Sequence, residues 1–522
     1  MECRVLVTDA LAQSGIERLE RACRVDVRVG ISPEELADII GEYDALVVRS
    51  ATRVTAEILC RGTRLRVVAR AGTGVDNVDL DAATRRGVLV VNAPTSNTIA
   101  VAEHALALML CLARNVVPAN ASTHAGNWER SRLMGCELRG RTLGLVGLGR
   151  VGSAVAARAR ALEMRLLAHD PLVSSERAAQ LDVRLVDLDE LLASSDVVSL
   201  HAPATERTRK MIGPRELSLM RPNTYLINCA RGELVDEEAL AHALSEGRLA
   251  GAGLDVYSTE PHVPEALRGL PNVLLTPHLG ASTQEAQDSA AEEVAQQVVD
   301  VLEGREPHYP VNLSPLSDEE RATLAPYLDL AGRLGRFYGQ YASNNVSCLE
   351  IVYGGEAAGL NTALLTSALL AGVLAESSDV PANLVNARVL ARDRGVEVTE
   401  VLSEDAEGFE HLLSLRAETT AGPFRLSGAV LRGEPHIVRI GEFWFDFHAS
   451  GELLLSEHLE QPGVIGQMGT LLGDLGVSIS FVQVGRRARG GEGLMILGLD
   501  EPLSTEGLAR LMTLPSVRRA RR

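Results

Sequence analysis

A glycine-rich run at residues 147–152 constrains the fold of this chain more than any other feature of its 522 residues. Its glycines are Gly147, Gly149 and Gly152, and they follow an apolar segment, 142–146, that is typical of a buried strand. A helical pattern over 153–162 comes next. Glycines at this spacing permit a tight turn, the close approach of a pyrophosphate and close packing of helix on strand. The run therefore predicts a βαβ unit that binds a dinucleotide.

Asp170 narrows the choice of dinucleotide. It lies eighteen residues beyond Gly152, at the end of the next predicted strand. A carboxylate at this place accepts a hydrogen bond from a ribose 2′-hydroxyl and repels a 2′-phosphate, so NAD is favoured over NADP. The alternative is a glycine turn in an ordinary βα unit, which the strand before it, the helix after it and Asp170 together disfavour.

Short β-branched runs alternate with helical patterns on both sides of the glycine run, which indicates an α/β protein with two Rossmann-like lobes and parallel sheets. The predicted strands are 5–8, 25–29, 45–49, 67–70 and 88–92 in the first lobe and 142–146, 165–169, 197–201, 225–228, 251–255 and 273–276 in the second. Asn97 is the expected N-cap of a helix of about 20 residues between the lobes. A second helix is expected over 285–302.

The C-terminal part of the chain follows a proline-rich linker that contains Pro307, Pro310 and Pro315. Residues 317–450 have a mixed α+β pattern without a catalytic signature, with a helical run at 357–375 and strands at 347–353, 411–416, 426–432 and 436–440. Residues 451–522 follow the order βαββαβ of a ferredoxin-like module, which typically pairs with itself or binds small ligands.

The net charge of −18, from 69 acidic and 51 basic side chains, excludes nucleic acid as a partner. Residues 51–150 are the exception, with 13 arginines against seven acidic residues, and such cations can concentrate an anionic ligand in a cleft.

The longest apolar stretch, 99–113, is interrupted by Glu103 and His104 and is shorter than the roughly 20 residues of a membrane span. The cysteines have no Cys-x-x-Cys spacing. We expect a cytoplasmic protein with no metal site and no membrane partner.

Three polar residues follow the last strands of the second lobe: Arg231, Glu260 and His278. Because the carboxyl ends of parallel strands form the ligand-binding edge of an open α/β sheet, these side chains should meet there. An arginine can bind a carboxylate through two hydrogen bonds, and a histidine accepts a proton near neutral pH when a carboxylate fixes its tautomer. Singly, Arg231 would more often form a surface salt bridge and His278 would be structural. Together they favour a catalytic site.

Five short motifs carry a resemblance to a known family. They are Arg-Ala-Gly-Thr-Gly-Val-Asp-Asn-Val-Asp at 70–79, Gly-Leu-Gly-Arg-Val-Gly at 147–152, Asn-Cys-Ala-Arg-Gly at 228–232, Glu260-Pro261, and Pro-His-Leu-Gly-Ala-Ser-Thr at 277–283. Residues 1–312, which contain them, resemble the D-isomer-specific 2-hydroxyacid dehydrogenases. The remaining residues are similar to a long form of that family that adds an intervening domain and an ACT domain.

The resemblance implies a split arrangement of domains. Residues 1–98 and 283–312 would form a substrate-binding domain around an NAD-binding domain at 99–282, with the two crossing helices as hinges. An α+β intervening domain would occupy 317–450 and a ferredoxin-like ACT regulatory domain 451–522. The family also implies a homodimer or a homotetramer.

The resemblance assigns roles to the site residues. His278 would be the acid/base, Glu260 its hydrogen-bonded partner, and Arg231 the group that binds the substrate carboxylate. The residues implied in NAD binding are Thr73, Gly147, Gly149, Arg150, Val151, Gly152, Asp170, Ala202, Cys229, Ala230, Asp255, Gly280 and Ala281. The residues implied in substrate binding are Arg49, Ser50, Arg70, Asn97, Arg130 and Arg132, the last two reaching a neighbouring subunit's site.

Several cations in one cleft suit a phosphorylated substrate. The resemblance implies that this substrate is D-3-phosphoglycerate, which would be oxidised with NAD to 3-phosphohydroxypyruvate in the first step of phosphorylated L-serine biosynthesis. One alternative is another D-2-hydroxyacid dehydrogenase, a reductase of hydroxypyruvate, glyoxylate or 2-oxoglutarate. A second is an NAD-sensing, corepressor-like scaffold, although such scaffolds do not resemble a chain with an intervening domain and an ACT module.

The segment 458–463 resembles the effector loop of ACT domains, in which L-serine would bind across a dimer interface. His458, Glu460 and Ser478 are the implied effector residues. The family usually has asparagine or aspartate in place of Glu460 and asparagine in place of Ser478, and a longer carboxylate can fill the cavity of a small amino acid. A role of 451–522 in assembly alone is the alternative to feedback by serine.

Overall fold

The structure is a computed structural model that describes residues 3–314, 316–342, 347–378, 380–419 and 422–522. Pro315, which the predicted linker includes, lies outside the described residues. The described residues form four sheets, two of them wholly parallel. The predicted α/β class with two Rossmann-like lobes is confirmed.

The first sheet is parallel and has five strands in the order β2-β1-β3-β4-β5. The strands are β1 (Arg4–Val7), β2 (Arg24–Val27), β3 (Ala45–Val48), β4 (Val67–Arg70) and β5 (Leu89–Asn92), and the helices between them are α1 (Gln13–Glu20), α2 (Pro33–Ile39), α3 (Ala56–Arg61) and α4 (Leu80–Arg86). Ser32, Thr55 and Asp79 cap the last three helices by accepting a hydrogen bond from a first-turn amide. Strand β3 is buried along its whole length, as a central parallel strand should be.

Helices α5 (Thr98–Ala113) and α6 (Val116–His124) connect the two parallel sheets and bend by 62° where they meet. Asn97 lies at the N-cap of α5 as predicted, but its side chain makes no capping hydrogen bond and instead accepts one from Thr73 Oγ1 at 2.8 Å. Among the described residues, no single helix has both the length and the apolar character to cross a membrane; α5 and α6 meet that criterion only as a bent pair.

The second sheet is parallel and has seven strands in the order β12-β11-β10-β9-β6-β7-β8. Its strands are β6 (Thr142–Val146), β7 (Arg165–His169), β8 (Arg184–Leu185), β9 (Val197–Leu200), β10 (Tyr225–Asn228), β11 (Gly251–Leu254) and β12 (Val273–Leu275), and its helices are α7 (Arg150–Ala161), α8 (Ser175–Gln180), α9 (Leu188–Ser194), α10 (Pro214–Leu219), α11 (Glu237–Ser245) and α12 (Glu265–Arg268). Six strands match the prediction, and the two-residue edge strand β8 is additional. The strand order reverses beside β6, which places the glycine run at the switch point where such sheets bind ligands.

Helix α13 (Gln284–Leu302) returns from the second sheet to the first. Gly15 of α1 lies so close to Ala291 that an added Cβ would come within 2.7 Å of its Cβ, and Val294 and Val298 share a core with the first sheet. Val311 then donates a backbone hydrogen bond to Val90. These contacts agree with the split arrangement, whose boundaries stay predictions.

The third sheet has six strands in the order β14-β13-β15-β16-β17-β18. They are β13 (Cys348–Gly355), β14 (Glu397–Ser403), β15 (His411–Thr419), β16 (Gly422–Leu431), β17 (Glu434–Ile440) and β18 (Phe443–His448), with helices α14 (Asp318–Ala342), α15 (Thr362–Leu374) and α16 (Ala387–Asp393). The predicted helical run at 357–375 is a short 3-10 helix, Glu356–Gly359, followed by α15. The sequence did not predict α14, α16, β14 or β18.

The fourth sheet is antiparallel, in the order β20-β21-β19-β22. Its elements are β19 (Glu452–Leu459), α17 (Val464–Asp474), β20 (Ile479–Arg486), β21 (Glu492–Leu499), α18 (Thr505–Leu511) and β22 (Val517–Arg521), which is the predicted βαββαβ order. Leu494 and Ile496 of β21 are buried in the same core as α14 and α15. The third and fourth sheets are therefore packed together.

Candidate active site

The glycine run forms a cradle between β6 and the N-terminus of α7. Gly147 has φ +96°, and a Cβ on Gly152 would lie 2.2 Å from the Gly147 carbonyl oxygen, so neither position accepts a side chain. A Cβ on Gly149, the N-cap of α7, would instead enter open space, because no other group lies within 4 Å of it. Arg150 and Val151 begin the helix, whose free amides point to this space. The cradle fits the pyrophosphate of a dinucleotide.

Asp170 lies beside the cradle, as predicted. Its Oδ2 accepts a hydrogen bond from Leu148 N at 2.8 Å, and its Oδ1 accepts one from Leu172 N at 2.9 Å. The carboxylate is thus held against the glycine run, with lone pairs left for a ribose hydroxyl. Ala202 follows β9 on the other side of the cradle, where its amide nitrogen would lie 2.9 Å from a Cβ on Gly147.

Asp255 organises the loop that follows β12. It accepts hydrogen bonds from the amides of Leu279 and Gly280 at 2.7 and 2.8 Å. Its Oδ1 also lies 2.5 Å from Thr276 Oγ1 and 3.2 Å from His104 Nε2. Burial alone would raise the pKa of Asp255, but these hydrogen bonds outweigh it and hold the pKa below its usual value. Asp255 is therefore a buried anion that fixes the position of the Gly280–Ala281 turn.

Cys229 and Ala230 lie at the end of β10, in the same region. The Cys229 thiol is buried, and burial raises its pKa far above the usual range, with the Asp255 carboxylate adding to the effect. The thiol is thus neutral, which favours a packing role for this cysteine.

Arg231, Glu260 and His278 follow β10, β11 and β12, three adjacent strands of the second sheet. His278 Nδ1 lies 2.8 Å from Glu260 Oε2, and Glu260 Oε1 accepts a hydrogen bond from Tyr257 N at 3.2 Å. His278 has φ +55°, a left-handed conformation that is unusual outside glycine and asparagine, and its amide donates to Asp255 O. The loop thus directs the imidazole to the carboxylate while Nε2 stays available for a substrate proton.

Arg231 reaches across to the first lobe, where it meets Arg70. A Cβ on Gly74 would lie 2.2 Å from Arg231 Nη2, and a Cβ on Gly72 would lie 1.9 Å from Arg70 Nη1. Both guanidinium groups therefore rest on the 72–74 loop, and only glycine allows this. Burial, together with the nearby charge of Arg231, lowers the pKa of Arg70, whose Nε is buried with no hydrogen-bond partner among the described residues. The two arginines form a cationic pair that an anionic ligand would satisfy.

The other predicted substrate residues are Arg49, Ser50, Asn97, Arg130 and Arg132. Asn97 and Thr73 are hydrogen-bonded to each other beside the 72–74 loop. The Arg49 guanidinium donates to the Ala10 carbonyl at 3.1 Å, and Ser50 beside it is exposed. Arg130 and Arg132 are exposed in the loop after α6, and Arg132 pairs with Glu129 at 3.1 Å. No contact within the described ranges joins these last two to the site, so their proposed role needs a second subunit.

The structure brings together two of the three predicted effector residues. The buried His458 Nε2 lies 3.5 Å from Glu460 Oε2, while Glu460 Oε1 lies 3.3 Å from Arg486 Nη1. Ser478 is exposed in the turn before β20, and its amide donates to Glu501. None of the contacts in the described part of this chain links Ser478 with Glu460.

Sequence reasoning missed two residues of the site. Asp76 lies in the motif at 70–79 but received no role; its Oδ2 is 3.4 Å from Arg231 Nε, which joins the two lobes across the cleft. His104 was noted only as a polar interruption of α5. The polar interruption of the apolar pattern was the available signal. In the structure the His104 ring lies between Asp255 and Thr276 Oγ1.

Family comparisons agree with this geometry. The NAD binding domain of the D-isomer specific 2-hydroxyacid dehydrogenases matches residues 106–280, and the D-3-phosphoglycerate dehydrogenase intervening domain matches residues 323–441. The fold and the site thus define a dehydrogenase of the 2-hydroxyacid class with an NAD-binding domain.

Similar proteins narrow the class. The D-3-phosphoglycerate dehydrogenase of Synechocystis sp. is 42% identical over 519 residues, which cover 99% of this chain and 94% of that protein. The D-3-phosphoglycerate dehydrogenase of Methanocaldococcus jannaschii is 40% identical over 516 residues, covering 99% and 98%. The chain therefore belongs to the D-3-phosphoglycerate dehydrogenase family.

Solved structures resemble more than half of this chain. The TT0316 protein from Thermus thermophilus matches with a TM-score of 0.55 and 42% sequence identity, over 59% of this chain and 99% of that one. A D-lactate dehydrogenase from Aquifex aeolicus, complexed with NAD and lactic acid, matches with a TM-score of 0.52 and 29% identity, over 57% and 96%.

Proposed function

We propose that this protein oxidises D-3-phosphoglycerate to 3-phosphohydroxypyruvate with NAD, the first step of phosphorylated L-serine biosynthesis. One observation carries the proposal: the His278–Glu260 pair lies at the sheet edge that also carries Arg231, and Arg231 rests with Arg70 of the first sheet on the 72–74 loop. The first pair suits proton transfer from a hydroxyl. The second suits a substrate with two anionic groups, a carboxylate and a phosphate.

Each residue of the site has a separate role in the reaction. Arg231 binds the substrate carboxylate and draws electron density from the carbonyl that forms at C2. His278 Nε2 accepts the proton of the C2 hydroxyl, and Glu260 holds Nδ1 as the N–H donor so that Nε2 is free to accept. Arg70, supported by Arg49, binds the phosphate. NAD, when bound, supplies the acceptor for the hydride that leaves C2.

The cofactor would be held by groups that the structure already orders. The cradle formed by Gly147, Gly149 and Gly152, with the first-turn amides of α7, suits the pyrophosphate, and Asp170 suits the ribose hydroxyls. Asp255 fixes the turn at Gly280 and Ala281 against the same region. The Arg231–Asp76 ion pair connects the lobes, so closure around the ligands would exclude water from His278.

Replacing His278 tests the proton-transfer step. In His278→Asn, NADH formation from D-3-phosphoglycerate should fall by about 10²–10⁴-fold, the usual contribution of a general base. His242→Asn is the matched control, because His242 is an exposed histidine in an ion pair with Glu246 on α11. The proposal fails if both variants turn over like the unmodified enzyme.

Two further assignments concern the location and the assembly of the protein. We infer a cytoplasmic location, consistent with the free thiols of Cys3, Cys60, Cys111, Cys136, Cys229 and Cys348. We also infer a homodimer or homotetramer, in which Arg130 and Arg132 would reach the partner's cleft; the exposed Trp128 in the same loop, with 80% of its surface accessible, supports a contact there.

Feedback by L-serine would involve His458, Glu460 and Ser478. The Glu460 carboxylate is already engaged by Arg486, so an incoming amino acid has to compete with that contact. Isothermal titration with L-serine, paired with an activity assay, decides the question: heat with inhibition supports regulation, whereas no heat and no inhibition at millimolar ligand leaves the module an assembly role.

A further inference from the structure

Two histidines and two carboxylates share one face of the β17–β18 hairpin in the intervening domain. Glu434 and His436 are two residues apart on β17, and Asp446 and His448 are two residues apart on β18. His436 and His448 are direct partners in the antiparallel register. Because side chains alternate along a strand, pairing brings all four groups together. The sequence predicted no metal site, since these residues meet only when the strands pair.

The four side chains are already in contact. His436 Nδ1 lies 2.6 Å from Asp446 Oδ1, and His448 Nε2 lies 2.7 Å from Glu434 Oε2. The two imidazole rings are 4.1 Å apart between centroids. Glu434, His436 and His448 each offer a ligand atom within 4.8 Å of the other two. The His436 and His448 side chains are 18% and 38% exposed, whereas both carboxylates are about two-thirds exposed, so the carboxylates can move to fit an ion.

We propose that this hairpin binds one divalent transition-metal ion of the Zn²⁺ class, with His436, His448 and Glu434 as ligands. Imidazole nitrogens with a carboxylate are a ligand set that zinc accepts, and three protein ligands leave a fourth position for water. Tetrahedral zinc holds its ligand atoms about 3.3 Å apart, so the 2.7 Å contact between Glu434 and His448 has to open by about 0.6 Å. Asp446 then orients His436 through its other ring nitrogen.

The site lies beside the junction with the ferredoxin-like module. Asp446 N donates to Gln483 Oε1 of β20 at 2.8 Å, and Gln483 Nε2 donates back to the Asp446 carbonyl. An ion held through His436 and His448 would therefore fix the edge strand that contacts β20. Since the folded chain alone presents this ligand set, the ion should raise the unfolding temperature.

A second cluster, Glu356, Glu410 and His411, provides an internal control. It also places three ligand atoms within 4.8 Å, but it has only one histidine. His411 Nε2 is 3.8 Å from Glu356. One imidazole is a weaker basis for a transition-metal site than two, so the control variant is His411→Ala.

The experiment uses the full chain, stripped with EDTA and dialysed against Zn²⁺ alone. Bound zinc is counted, and affinity is measured by competition with a chromogenic chelator. We expect His436→Ala/His448→Ala to bind one zinc fewer per chain, each single variant to lose more than about 10-fold in affinity, and His411→Ala to bind like the unmodified protein. Zinc should also raise the unfolding temperature of the unmodified protein but not of the double variant.

Folding is checked by NADH formation without added metal, which these substitutions should leave unchanged. If the double variant does not fold, Glu434→Gln takes its place, because that exposed side chain can change without disturbing the core and should still weaken zinc binding. The proposal is overturned if the unmodified chain retains no stoichiometric zinc, if the double variant or Glu434→Gln binds zinc as tightly as the unmodified chain, or if His411→Ala removes the bound ion.

Discussion

Glu260→Gln isolates the role of the carboxylate that holds His278. Glu260 accepts two hydrogen bonds, one through Oε1 from Tyr257 N and one through Oε2 from His278 Nδ1. Glutamine has the same shape but only one acceptor oxygen. If that oxygen stays on Tyr257 N, the amide NH₂ faces Nδ1 and the ring proton moves to Nε2. The imidazole can then no longer accept the substrate proton.

The size of the effect follows from the same geometry. A positioned general base contributes about 10²–10⁴-fold to the rate. The His278 and Glu260 side chains are 50% and 38% exposed, so water can replace part of the lost hydrogen bonding, and the lower end applies. We expect kcat for NADH formation to fall about 10²-fold, equivalent to about 2.7 kcal/mol in the barrier, with little change in KM.

Steady-state kinetics of Glu260→Gln against Glu265→Gln measure this directly. Glu265 is an exposed glutamate at the start of α12 and provides the matched control. Thermal unfolding confirms that both variants fold. A kcat within about 3-fold of the unmodified enzyme, or an effect confined to KM, would refute the role of Glu260 in fixing the histidine tautomer.

The remaining predictions concern the phosphate, the cofactor and pH. In Arg70→Ala, kcat/KM for D-3-phosphoglycerate should fall by roughly 10–150-fold, the contribution of one hydrogen bond to a charged group. The kcat/KM of this variant for D-lactate should change little, and so should the kcat/KM of the control Arg53→Ala for D-3-phosphoglycerate. In Asp170→Ala, the ratio of kcat/KM for NADP to that for NAD should rise by about 10-fold or more, because the repulsive carboxylate is gone. Burial lowers the pKa of His201 to about 4 from an ordinary 6.5. The unfolded chain therefore binds this proton first, so stability falls as the pH drops from 6.5 towards 4, and the unfolding temperature of His201→Gln should fall less across that window.

The parallel lobes could be predicted because their central strands, such as β3 and β9, are buried along their whole length and have β-branched runs in their sequence. The strands that the sequence did not predict lie at sheet edges. β8 has two residues and is only partly buried, and β14 and β18 are the two edges of the six-stranded sheet. Edge strands carry polar residues such as those of Glu397–Ser403, which weakens the strand pattern. Helix α14 contains Pro326, a residue that normally ends a helix.

The candidate site could also be predicted only in part. Arg231, Glu260 and His278 could be placed together because the carboxyl ends of adjacent parallel strands converge. The Arg231–Asp76 contact joins two lobes, and the His436–His448 pair joins two strands, so tertiary packing decides both. Asn97 was predicted as a helix cap, but Thr73 competes successfully for its side chain. The catalytic and binding roles of these residues stay predictions.

Initial rates of NADH formation with D-3-phosphoglycerate and with D-glycerate, which differ only in the phosphate, test the proposed activity most directly; D-lactate and 2-hydroxyglutarate extend the comparison. With Arg70 and Arg231 lying together at the cleft, kcat/KM should be highest for D-3-phosphoglycerate, by at least about 10-fold over D-glycerate. Equal turnover of the two acids, or no NADH from D-3-phosphoglycerate, would contradict the assignment.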